Sequence, residues 1–99
     1  MNHWRLVLTP AALRQYKRFP ARVRTLLKQA MKERLIVQNP TIEDRNRFRL
    51  RRASLYADYE LRVQEWRVFY RMEGEMIIVE LIGKKVGNCL VIEGKEFVL

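Results

Sequence analysis

Residues Tyr59 to Tyr70 read YELRVQEWRVFY, and the way this stretch pairs with itself decides the fold. Apolar and polar residues alternate on both sides of Gln64-Glu65, the period of two that a half-buried strand requires. A two-residue turn at Gln64-Glu65 sets Val63 opposite Trp66, Arg62 opposite Arg67, Leu61 opposite Val68, Glu60 opposite Phe69 and Tyr59 opposite Tyr70. One face then carries Tyr59, Leu61, Val63, Trp66, Val68 and Tyr70. A slip of one residue would mix that face with charge, so the register is well specified. Gln64-Glu65 is poor turn chemistry, which leaves a different loop open. The register also places Arg62 beside Arg67, and like charges directly opposed normally destabilise a strand pair.

Toward the C-terminus, Glu73-Gly74 suits a second two-residue turn, because glycine accepts positive φ. That turn pairs Tyr70 with Ile77, Phe69 with Ile78, Val68 with Val79, Arg67 with Glu80 and Trp66 with Leu81. Ile77, Val79 and Leu81 extend the apolar face. Glu60, Arg62, Arg67, Phe69, Arg71, Ile78 and Glu80 occupy the other. Two readings of that second face stay open. Arg67 and Glu80 form a cross-strand ion pair while Arg62 is hydrated or bonded to Glu60. Alternatively, the two guanidiniums clamp a phosphate beside Phe69 as a stacking surface. Glu93-Gly94, between LVI and KEFVL, marks a further hairpin, and Val86-Gly87-Asn88 a loop.

Toward the N-terminus, His3 to Leu8 reads as a strand with Trp4, Leu6 and Leu8 on one face. Thr9-Pro10 supplies an N-cap and a first-turn proline. A short helix follows through AALRQYKRF, with Leu13 and Tyr16 inward. Pro20 breaks it and opens a second helix to about Gln38, with Val23, Leu26, Leu27, Ala30, Met31 and Leu35 on one stripe. Its other face carries Arg22, Arg24, Lys28, Lys32 and Arg34, and Asn39-Pro40 ends it. In DRNRFRLRR, Arg45, Arg47, Arg49 and Arg51 recur at period two, while Phe48 and Leu50 point the opposite way. This is either a charge-guarded edge or an arm that follows a phosphate backbone.

At 99 residues and 12.0 kDa, one domain over residues 1–99 is expected. The fold class is α+β: a small antiparallel, mixed-edge β-sheet covered on one face by an N-terminal two-helix hairpin. The longest apolar run, Met76 to Ile82, contains Glu80 and is too short to span a bilayer. MNHWRLVLTP lacks the pattern of a signal peptide, so a cytoplasmic location is expected, without membrane association. One histidine and one cysteine cannot build a zinc site, and no metal or other cofactor is expected. Cys89 reads as a small strand residue. The net charge of +9 is concentrated in the first half: residues 1–57 hold 14 Lys/Arg against 3 Asp/Glu, and residues 58–99 hold 6 against 8. Such a footprint favours a polyanionic partner.

With these motifs in place, LYADYELRVQEWRVFYRMEGEMIIVELIGKK resembles the RelE/ParE superfamily of toxins from type II toxin–antitoxin pairs. Leu61-Arg62-Val63, Trp66-Arg67-Val68-Phe69-Tyr70 and Ile82-Gly83-Lys84-Lys85 match the family's pattern in order and spacing. The element order agrees from His3 to about Lys85. The resemblance implies a RelE-like fold and a cognate antitoxin protein as partner. For the RelE-like branch it implies a metal-independent endoribonuclease that cuts mRNA at the ribosome, the 2′-hydroxyl attacking its own phosphate.

The roles it implies are Arg62 and Arg67 on the transferring phosphate, Glu60 as a candidate base, and Lys85 or Lys84 assisting as acid. Candidate nucleic-acid contacts are Arg45, Arg47, Arg49 and Arg51 from their spacing, Phe69 from the strand register, and Lys84 from the family pattern. This chain departs from the pattern at Glu60, where some relatives are basic. It also departs in VGNCLVIEGKEF, which lacks the tyrosine or histidine that many active relatives carry. That departure keeps two alternatives in view: a ParE-like toxin that inhibits DNA gyrase by binding it, and a non-toxic basic RNA-binding member of the fold.

Overall fold

The computed structural model describes residues 4–50 and 57–98, the side chains of 97 and 98 excepted. His3 and Arg51 lie outside the described residues. The elements run β1 (Arg5–Leu8), α1 (Pro10–Arg18), α2 (Ala21–Met31) with a π-helical extension (Lys32–Gln38), β2 (Arg47–Arg49), β3 (Tyr59–Val63), β4 (Trp66–Glu73), β5 (Met76–Val86), β6 (Cys89–Ile92) and β7 (Lys95–Val98). Neighbours β2 to β7 are antiparallel in chain order, and β1 joins β5 in parallel, so the sheet is mixed as expected. Among the described residues no helix is long and apolar enough to cross a membrane.

Local chemistry explains the helices. Thr9 caps α1, its hydroxyl accepting from the Ala12 amide at 3.1 Å, with Pro10 at the first helical position. Pro20 caps α2, and Val23, Leu27, Met31 and Leu35 bury one stripe against the sheet. Trp4, Leu6 and Leu8 pack against the same core. Leu13, however, is 40% exposed, and Ala12 and Gln15 take the inward positions instead.

The reason for that exchange lies on β5. Its first half pairs with β1 and its last residues pair with β6, both along the same edge. Between them the β5 backbone has no strand neighbour on that side, and α1 supplies the bonds. Thr9 donates its amide to the Val79 carbonyl at 3.0 Å and its hydroxyl to the Glu80 carbonyl at 3.3 Å. The Gln15 side-chain oxygen accepts the buried Ile82 amide at 2.7 Å. A leucine there would leave that amide orphaned, so a buried polar residue is favoured over an apolar one.

The first hairpin has the expected register throughout, from Val63–Trp66 to Tyr59–Tyr70. The poor turn chemistry is met by strain rather than by a different loop: Gln64 adopts φ 56°. The second hairpin differs. Its turn is Gly74-Glu75, one residue later, with Glu73 opposite Met76 and Tyr70 opposite Val79. A bulge then absorbs Glu80, so that Phe69 faces Leu81, Val68 faces Ile82 and Arg67 faces Gly83. Ile82, not Leu81, therefore enters the core beside Ile77 and Val79. The expected Arg67–Glu80 pair does not form; Glu80 accepts from Arg71 Nε at 2.7 Å.

Two measurements test this account. Gln15→Leu should destabilise the protein by about 1–3 kcal/mol in urea unfolding, whereas Leu13→Ala should cost less than about 1 kcal/mol. Gln64→Gly should raise stability by about 0.5–1 kcal/mol by relieving the left-handed backbone, with Tm rising a few degrees.

Candidate functional site

The uncovered face of the sheet holds two adjacent cross-strand rows. Phe48, Glu60, Phe69 and Leu81 form one, across β2, β3, β4 and β5. Arg62, Arg67 and Gly83 form the next. Glu60 sits where the two rows meet. Its Oε2 accepts from Arg62 Nε at 3.1 Å and lies 3.6 Å from Arg67 Nε. The like-charge pair that the sequence sets side by side thus shares one carboxylate.

The two arginines are otherwise unlike. The Arg62 side chain is 45% exposed, and its guanidinium lies 4.8 Å from the Phe48 ring centroid in a cation–π contact. Arg67 is buried. Its NH1 donates to the Gln64 carbonyl at 2.7 Å and the Trp66 carbonyl at 2.8 Å. Burial pushes its pKa down, and Arg62 pushes it further, with Glu60 opposing both; as an arginine it stays cationic at neutral pH. Arg67 therefore braces the strained turn and anchors Glu60, and Arg62 is the cation presented outward.

Gly83 leaves room beside Arg67. A Cβ there would lie 2.8 Å from Ile92 Cγ1 and 3.0 Å from the Val91 carbonyl oxygen, so only glycine lets β6 approach without a shift. The two lysines that follow part company. Lys85 shares the face of Gly83 and Arg67 and is exposed, its amide bonded to the Glu65 carbonyl at 2.7 Å. Lys84 is on the helix side, its ammonium 5.6 Å from the Trp66 ring centroid. There it lines a cleft of about 380 Å³ with Arg18, Phe19 and Trp66. The bulge at Glu80 reverses the alternation, and Lys84 drops out of the row.

The arginine arm also divides. Arg45 and Arg49 are exposed. Arg47 is 2% exposed and faces the core side of β2. It donates to the carbonyls of Ile42, at 2.6 Å, and Arg34, and to Gln38 Oε1 and Asp44 Oδ2 at 3.0 and 2.9 Å. It thereby ties the π-helical extension to the loop that follows; with four of its five N–H donors committed and the side chain buried, it is out of reach of a phosphate backbone. The period of two was misleading because this guanidinium meets carbonyls at a helix end. Phe48, set opposite the arginines by the same alternation, is the site residue that sequence reasoning left without a role.

Among the described residues no phenol faces the rows. Tyr59 and Tyr70 stack at 5.2 Å on the core side. The Tyr70 hydroxyl donates to the Pro40 carbonyl at 2.6 Å, and burial pushes its pKa well up. Proton transfer on this face falls to carboxylates and lysine. Glu73 and Glu80 are both held by Arg71, at 2.8 and 2.7 Å. Glu60 is the carboxylate next to Arg62 and Lys85 is the amine on the same face. The arrangement can hold an anionic group at Arg62 with a proton acceptor beside it.

Two helices over one face of a mixed, mainly antiparallel sheet make this the RelE-like α+β fold. A chain from the crystal structure of the toxin–antitoxin complex RelBE2 of Mycobacterium tuberculosis superposes with a TM-score of 0.67 at 18% identity, covering 83% of this chain and 98% of that one. No protein-family model matches the chain, and no curated protein does.

The division between the arginines is testable by urea unfolding. Arg47→Ala should destabilise by about 2–4 kcal/mol, since it empties a buried side-chain site and removes the donor to the Ile42 and Arg34 carbonyls, Gln38 and Asp44. Arg45→Ala and Arg49→Ala should stay within about 0.5 kcal/mol of the parent.

Proposed function

We propose that this chain is the toxin half of a toxin–antitoxin pair and a metal-independent endoribonuclease that cuts mRNA at the ribosome. The observation that carries the reading is Glu60: a carboxylate on the uncovered sheet face, 3.1 Å from an outward-facing arginine. The likeness of the fold to a chain from a toxin–antitoxin complex supports the toxin role. In the reaction, Glu60 takes the proton of the 2′-hydroxyl as its oxygen forms a bond to phosphorus. Arg62 neutralises the charge on the phosphorane. Lys85 returns a proton to the 5′-oxygen as the P–O5′ bond breaks. Arg67 acts through Glu60, holding it and the β3–β4 turn in place. Phe48 and Phe69, either side of Glu60 in its row, offer stacking surfaces for flanking bases. A cognate antitoxin covers this face, and the pair works in the cytoplasm.

A second reading is favoured by one specific observation. No imidazole or phenol faces the rows among the described residues, and Arg67 is committed to carbonyls. A binding toxin that inhibits DNA gyrase needs neither group.

Induced expression distinguishes them. Growth arrest should coincide with new 5′-hydroxyl ends inside translated mRNA. Glu60→Gln should reduce cleavage by about 10²–10⁴-fold and Arg62→Ala by about 10²–10³-fold, with circular dichroism unchanged. Intact mRNA together with DNA breaks during arrest would discard the nuclease in favour of the gyrase reading.

A further inference from the structure

The surplus charge of this chain does not lie at the candidate site. Residues 10–38, the helical hairpin and its extension, hold eight Lys/Arg against one acidic residue, Glu33, which is seven of the net nine charges. Three of these cations are spent locally: Arg14 pairs with Glu93 at 2.7 Å, Arg34 lies 3.7 Å from Asp44, and Arg24 donates to the Phe19 carbonyl at 2.6 Å. Lys17, Arg22, Lys28 and Lys32 are exposed and have no carboxylate within ion-pair distance among the described residues. Each sits away from the buried stripe of its helix, Ala12 and Gln15 on α1 or Val23, Leu27 and Met31 on α2. They point away from the sheet, on the opposite side of the molecule from Glu60 and Arg62.

We infer that this outer helix face is a second binding surface, one that docks the phosphate backbone of double-helical nucleic acid. Three features select that occupant. The cations from Arg22 on α2 to Lys32, the first residue of its extension, span about 15 Å along one continuous helix, a spacing suited to a stiff row of phosphates rather than a chain that must be ordered first. The face presents no stacking ring, since Tyr16 and Phe19 are packed against the core; single strands are held by stacking as much as by charge. It also lacks the apolar centre of a protein interface: over residues 10–38 the large exposed apolar side chains are Leu13 on α1 and Val37 at the far end of the extension, which do not form a patch. The aromatic and arginine rows of the sheet face have the opposite character. The two faces therefore divide the work: backbone docking on the helices, a single strand on the sheet. This inference does not depend on the nuclease reading.

Fluorescence anisotropy on the full chain tests it, with 20-base-pair RNA and DNA duplexes and the matching single strands as probes. The parent should bind duplex in the micromolar range at about 100 mM salt. Arg22→Gln/Lys28→Gln/Lys32→Gln should weaken duplex binding at least tenfold and flatten the log K against log salt slope by about two to three. Arg71→Gln, which removes a sheet-face cation already paired with Glu73 and Glu80, should change duplex affinity less than twofold. Equal affinity for both duplexes fits backbone docking, and tighter RNA binding narrows the source to A-form helices. Unchanged duplex binding by the triple variant overturns the inference. So does a parent that ignores duplexes but binds polyglutamate through these three residues, because the surface then serves an acidic protein.

Discussion

One extra residue on β5 sets most of what this structure presents. Two strands, β1 and β6, meet the same edge of β5 end to end, and the bulge at Glu80 falls where neither reaches. There the backbone bonds to Thr9 and Gln15 of the first helix, so helix position and sheet register are coupled through the same few atoms. The bulge rotates the rest of β5 by one place. It sends Ile82 into the core, puts Gly83 opposite Arg67, gives Glu80 to Arg71, and exchanges the faces of Lys84 and Lys85. Without it Phe69 would face Glu80 and Arg67 would face Ile82, and the open space that Gly83 leaves beside Arg67 would be lost.

The like-charge pair is tolerated because its members solve different problems. A buried cation without partners is expensive, and Arg67 has two carbonyls and a carboxylate. The carbonyl of Gln64 belongs to the turn whose backbone is strained, so Arg67 supports the residue that sets the hairpin register. Arg62 keeps its hydration and rests on Phe48. Removing Glu60 would leave two guanidiniums in adjacent strands with no anion between them. That makes the carboxylate a structural counter-ion in the free protein as well as the base in the proposed reaction, and it explains why Glu60 stands where a basic residue would add only repulsion.

The first hairpin was legible in the sequence because its period of two runs unbroken from Tyr59 to Tyr70 and only one register separates apolar from charged. The helices were legible from Thr9-Pro10, Pro20 and the stripe through Leu35. Three things were not. A bulge leaves no compositional mark when the surrounding run, IIVELIG, is apolar on both sides, and it displaces the faces of Lys84 and Lys85; together with a turn one residue later, at Gly74-Glu75, it also changes the partner of Arg67. Gln15 reads as a surface residue by its chemistry, and only the missing strand neighbour of Ile82 makes it a core one. Arg47 shares its spacing with Arg45 and Arg49, and its burial depends on carbonyls of a helix end remote from the strand that carries it. In each case the deciding partner lies on another element.

Net charge is consequently a guide to surfaces only after the committed cations are set aside. Arg24, Arg47 and Arg67 stand on backbone carbonyls, Arg14 and Arg71 on carboxylates. Around Glu60 two of the cations, Arg62 and Arg67, share one carboxylate, so the excess charge there is smaller than on the helices. The unbalanced cations lie across the molecule on the helices, where long-range attraction can act without tightening the hold on product at the site. A single face carrying all of this charge would bind a polyanion strongly and release it slowly. Separating the two proposed functions across the thickness of one sheet would avoid that conflict, and the amphipathic helices that the core demands already provide the second face.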